Sequence, residues 1–190
     1  MLDSPLYAPP MLSRPGEITI HPWSMQSLGP QLILMGQLAA GINNNAWPAA
    51  GLVMYIPFGI PEAVTVTKLW CGIGSASGNV DMGVYAADGT LLVSAGTTLV
   101  AGSSALQVLD VTDTMLSRGV YYVALVFSST SSAVSISWTP AAGILQSLGL
   151  LEQASVTLPL ATNASPATFA KFTRTVLPFC GVQGYRTVGP

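Results

Sequence analysis

The sequence predicts an all-β fold: an antiparallel β-sandwich, jelly-roll-like, with an extended N-terminal arm. Three observations carry this. Seven or eight short runs of β-branched and apolar residues crowd into about 90 residues, separated by Gly-rich turns. No long segment shows the 3.6-residue period of an amphipathic helix. The first thirty residues hold Pro5, Pro9, Pro10, Pro15, Pro22 and Pro30, and proline denies the backbone a donor while fixing φ.

Three segments follow from this pattern. Residues 1–50 form the arm and a loop, 51–140 the sandwich core, and 141–190 a C-terminal segment that adds strands or inter-subunit contacts. In the arm, Glu17–His21 alternates briefly and predicts a short strand. The arm's apolar residues, among them Tyr7 and Trp23, have nothing of their own to bury against, so they must lie along the domain or along another chain. Gly41-Ile42-Asn43-Asn44-Asn45 predicts a loop.

Within the core, Leu52–Phe58 predicts a strand ending at Pro57. Ala63–Ile73 is rich in Val and Thr and predicts a second. Its alternation slips: Val64 and Val66 share one parity, while Leu69, Cys71 and Ile73 share the other. Such a slip calls for a bulge or for cover on both faces. Gly74–Gly78 is a turn. Asn79–Ala86 alternates, with Val80, Met82 and Val84 on one face and Asp81, Gly83 and Tyr85 on the other. Asp88-Gly89 then signals a hairpin returning through Leu91–Ser94. Thr97–Val100 and Leu106–Val111 are strands. Thr112–Ser117 predicts one helical turn capped by Asp113. Val120–Phe127 is apolar on both faces, as a central strand would be, and Val134, Ile136 and Trp138 mark a half-buried one. Beyond it, Ala141–Glu152 predicts a short helix, and Val156–Leu160 and Val176–Val182 predict strands.

Composition narrows the function. Lys and Arg number six and Asp and Glu eight, so only 7% of residues are charged, against about 25% in an ordinary soluble domain. Half the residues are hydrophobic. A surface this neutral fits a subunit that neighbours cover. Net charge is −2 and the six basic residues are scattered, which disfavours nucleic acid as a partner. No apolar run reaches the roughly 20 residues of a spanning helix. Met1-Leu2-Asp3-Ser4-Pro5 has neither basic region nor apolar core, so it does not read as a signal peptide.

The chemistry is thin. His21 is the one histidine and lies in the Pro-rich arm. Asp110 and Asp113 are the closest carboxylates, and Asp88 has the ordinary turn role of Asp. No cluster has the spacing of a zinc or calcium site. Cys71 and Cys180 form no CxxC pattern and read as small buried hydrophobes, with a disulfide left open. The expectation is no enzyme, no cofactor and no metal. Trp70 and Trp138 sit in strands and are expected in the core. Trp23 and Trp47 stand beside prolines outside the strands. Tyr7, Trp23 and Trp47 are therefore the candidate interface residues.

The run Gly78-Asn79-Val80-Asp81-Met82-Gly83-Val84-Tyr85-Ala86-Ala87-Asp88-Gly89-Thr90-Leu91-Leu92, with Leu106-Gln107-Val108-Leu109-Asp110-Val111 and Gly119-Val120-Tyr121-Tyr122-Val123-Ala124-Leu125 after it, resembles β-sandwich modules of tailed-bacteriophage virion proteins. The resemblance covers roughly residues 60–140. It implies a virion structural subunit, in head decoration, fibres, spikes or host attachment, with other virion proteins and copies of itself as partners. A trimer is the expected oligomer. Head decoration or cement fits better than a fibre, because the chain is short and lacks a repetitive shaft. The resemblance carries no functional residue. The alternative is a carbohydrate- or receptor-binding sandwich, with Trp47 or Tyr85 lining a glycan platform.

Overall fold

A computed structural model of the chain describes residues 17–20, 42–130, 132–137, 149–164, 169–171, 173–174 and 176–186. Among these there are strands and turns and no helix. The strands are β1 Glu17–Ile20, β2 Ile42–Ala46, β3 Val53–Ile60, β4 Val64–Ile73, β5 Asn79–Ala86, β6 Leu91–Ser94 and β7 Thr98–Leu99. They continue with β8 Ala105–Leu116, β9 Gly119–Phe127, β10 Ser132–Ser137, β11 Leu151–Gln153, β12 Ala170–Lys171, β13 Val176–Pro178 and β14 Cys180–Arg186.

Two antiparallel sheets of seven strands face each other, a β-sandwich. The front sheet runs β1-β14-β4-β10-β13, with β8 also paired to β4 and β2 to β10. The back sheet runs β12-β11-β3-β9-β5-β6, with β7 also paired to β5. From β3 to β14 the chain crosses repeatedly between the two sheets. Between them lies one apolar core, built from Phe58, Leu69, Ile73, Met82, Leu125, Phe127 and their neighbours.

The slip in β4 is a bulge. Against β14 the register steps from Lys68↔Gln183 to Val66↔Gly184, so Thr67 is the extra residue. It puts Val64 and Val66 on the same inward face as Leu69, Cys71 and Ile73. A Cβ at position 184 would run into the Thr65 carbonyl, so only glycine lets β14 pass close to the bulge. The Asp88-Gly89 hairpin also forms. Asp88 Oδ1 accepts from Thr90 N–H at 2.9 Å, and Gly89 takes φ +91°. Strand β9 is central, between β3 and β5; residues 123–127 are buried on both faces as expected, but its first half is not, and Val120 is 47% exposed.

Several expectations are corrected. Thr112–Ser117 is not a helical turn: β8 runs through Leu116, because the ladder to β4 resumes at Thr114↔Val66 and satisfies the backbone. Asp113 therefore caps no helix. Ile42–Ala46 is not a loop but strand β2, paired along β10, so the Asn run is overridden by a tertiary partner. Strand β3 does not end at Pro57. Its second neighbour β11 pairs only with Val53, Met54 and Tyr55, so Pro57 sits where the strand has one partner and a missing N–H costs nothing. Val176–Val182 is interrupted at Phe179 into β13 and β14.

The expected helix over Ala141–Glu152 falls largely on residues outside those described, but Leu151–Gln153 is strand β11. Val156–Leu160 is no strand. It belongs to a strap, residues 154–164, that crosses the outer face of the back sheet with a cis bond at Leu158-Pro159. The three segments marked out in the sequence thus share one pair of sheets, since β1 pairs with β14 and β14 with β4.

Candidate interaction surface

The two outer faces differ. On the back sheet, Tyr55, Tyr85, Ala124 and Val126 point away from the main core. The strap covers them with Leu160 and Ala164, and Phe169 stacks on Tyr55 at 4.1 Å between ring centroids. Backbone bonds fasten it: Val156 N–H to Gly51 O, Leu91 N–H to Thr162 O and Ala164 N–H to Gly89 O, each 2.9 Å. The Tyr85 hydroxyl donates to Ala161 O at 2.7 Å and the Tyr55 hydroxyl to Gln153 Oε1 at 2.9 Å. Burial pushes the Tyr55 phenol up to about 12. Tyr85 is raised too, by burial first and then by the nearby Tyr55 and Asp81.

Asp81 lies under this strap. It is fully buried, and its Oδ2 accepts from Leu160 N–H at 2.8 Å. Its Oδ1 has no hydrogen-bond partner. Burial raises its pKa, and hydrogen bonds from the N–H groups of Leu160 and Met82 only partly offset that. Glu152 is the other buried carboxylate, held by Thr173 Oγ1 at 2.8 Å and Arg174 Nε at 3.1 Å. Both hold the fold's outer layer in place. Asp110 and Asp113 are exposed on β8, and Asp88 is exposed in its turn, with its pKa lowered chiefly by Thr90. Among the described residues no three His, Cys, Asp or Glu side chains gather as a metal site would need. Among them, too, no helix is long and apolar enough to cross a membrane.

The front sheet has no such strap among the described residues. Across its outer face the register sets Phe179, Gly72 and Leu106 in one row and Gly181, Trp70 and Val108 in the next. The Trp70 indole meets the Phe179 ring edge-on at 5.0 Å. Trp70 is buried, yet it lies outside the main core, on the opposite face of β4 from Leu69 and Cys71. Leu106 and Val108 are left 55% and 52% exposed. In the middle of the face Lys68 is opposite Asp110. At the far end Tyr185, Thr65 and Met115 align, and Met115 is 63% exposed.

Of the candidate interface residues, Tyr7 and Trp23 lie outside the described residues. Trp47 is corrected: it is 1% exposed, packs on Phe127 at 4.9 Å, and its indole N–H donates to Leu52 O at 3.0 Å. It closes one end of the core and offers nothing to a partner. Trp47 and Tyr85, the rings that a glycan platform would need, are both buried. The exposed row was missed in the sequence, although a signal existed. In Leu106-Gln107-Val108-Leu109 apolar residues occupy both parities, and Gln107 turns inward because its amide serves Leu99 O and Ala101 N–H.

No family model, no curated protein and no solved structure matches this chain.

Proposed function

We propose that the chain is a non-enzymatic structural subunit of a phage virion, packing through the outer face of its front sheet against copies of itself. The observation that carries the reading is that face. Leu106, Val108 and Met115 stand uncovered on one side of a sandwich whose other side is covered in part by its own strap, with Val120 of β9 left 47% exposed there. Exposed apolar rows of this kind mark association surfaces. Lys68 facing Asp110 leaves the middle of the face without net charge to repel a second copy. The 7% charge content of the chain supports the same reading. The virion setting, and a trimer in head decoration or cement, rest on the resemblance of residues 60–140 to phage modules.

The test is the solution mass of the full chain beside a Leu106→Asp/Val108→Asp double variant. The wild type is expected well above the 19.6 kDa of one chain, and the double variant at it with an unaltered melting temperature. Retention on phage heads, lost in the double variant, is the second readout. A wild type that stays monomeric at high concentration and binds no particle sinks the proposal.

A further inference from the structure

We propose that Cys71 and Cys180 are placed to close an intrachain disulfide when the chain folds in the presence of a small-molecule disulfide oxidant such as oxidised glutathione. The inference is independent of the proposed function.

The two residues are direct register partners on neighbouring strands β4 and β14. Both are fully buried free thiols, and both belong to the inward-facing core, so their side chains leave the sheet on the same face. The ladder bond next to them runs from Gly72 N–H to Phe179 O at 2.8 Å. Bonds at the flanking residues rather than between the pair itself define a non-hydrogen-bonded pair. There the Cα atoms stand about 4.5 Å apart and the side chains are closest. Disulfides span Cα separations of about 4.4–6.8 Å, so the site falls at the near end of that range without moving either strand. Burial pushes the Cys71 thiol up to about 12 and raises Cys180 as well, Cys180 feeling Cys71 in addition. The folded dithiol is thus nearly all protonated and shielded from reagents, and the exchange belongs to folding, while both sulfurs are still accessible.

The chemistry balances as two thiol–disulfide exchanges. The thiolate of one cysteine attacks oxidised glutathione, forming a mixed disulfide and expelling one glutathione thiolate. The second cysteine's thiolate attacks the protein-bound sulfur and expels the other. The protein loses two electrons and two protons, which end on two molecules of reduced glutathione.

The test is refolding of the full chain, once in a reduced/oxidised glutathione buffer and once under reductant. Thiols are then counted by maleimide labelling in denaturant, with intact mass and melting temperature. In the glutathione buffer the monomer is expected to lose both titratable thiols and two hydrogen masses. Its melting temperature is expected to rise by about 10 °C, as closing so long a loop implies. Cys71→Ala and Cys180→Ala, each made separately, are expected to melt alike in both buffers. Two persistent thiols, a stable glutathione adduct, a bond joining two chains, a lowered melting temperature, or the same rise in either single variant would each overturn the proposal.

Discussion

At the scale of single residues, Asp81 is the position under most tension. It is fully buried, and one carboxylate oxygen is unpaired. Its proton is held more tightly in the folded chain than in the unfolded one, because burial raises its pKa above the ordinary 3.8. A raised folded pKa contributes stability that is complete below the unfolded value and is lost as pH climbs through the folded one. The loss in that window is at most about 1.4 kcal/mol per pH unit. Asp81→Asn cannot ionise. Urea denaturation at a series of pH values is expected to show the variant gaining on the wild type as pH rises from the ordinary carboxylate range. A difference that is constant with pH would reject this account. The sequence showed that Asp81 lies on the face opposite Val80, Met82 and Val84. It did not show that this face is covered, because the cover comes from residues some 80 positions later. Trp47 was misread for a similar reason: a Trp-Pro pair outside any obvious strand looks exposed until Phe127 is brought against it.

Among the elements, those shaped by their own residues were the legible ones. The β5–β6 hairpin follows from Asp88-Gly89, the bulge in β4 from a slip in parity, and the burial of the second half of β9 from its apolar run. Elements made by a distant partner were not legible. Strand β2 has turn-forming asparagines and exists because β10 pairs with it, and the last residues of β8 follow β4. The strap has no ladder along most of its length and is held by a few backbone bonds together with its side chains. Leu160 anchors it in the outer apolar cluster, its side chain beside Gly83. Leu160→Ala is expected to cost about 2–3 kcal/mol by emptying that site. In hydrogen exchange, the amides of Leu91, Leu160 and Ala164 are expected to lose protection first, while those of β4 keep theirs. Equal acceleration throughout the chain would mean that the strap is no separate unit.

For the whole molecule, the central fact is a difference, among the described residues, between how its two outer faces are covered. The strap covers the Tyr55, Tyr85, Ala124 and Val126 part of the back sheet, while the front sheet leaves Leu106, Val108 and Met115 exposed. An association built on such a face draws on apolar burial, not on charge. Raising ionic strength from about 50 mM to about 500 mM shortens the screening length severalfold, yet the oligomer is expected to persist or tighten. Light scattering across that range is the check. An oligomer that dissolves into monomers at high salt would place the contact on charged groups elsewhere.

Strand β4 also fixes an order of events. One of its long sides is paired by β8, which follows soon after it, but the other is paired by residues 180–186. On a ribosome, β4 is made more than a hundred residues before that second neighbour exists. The front sheet therefore cannot be finished during synthesis of the segments before β14. Until residue 186 has emerged, the nascent chain carries strand β4, with the core-facing Val64, Val66, Leu69 and Ile73, largely unpaired along one flank.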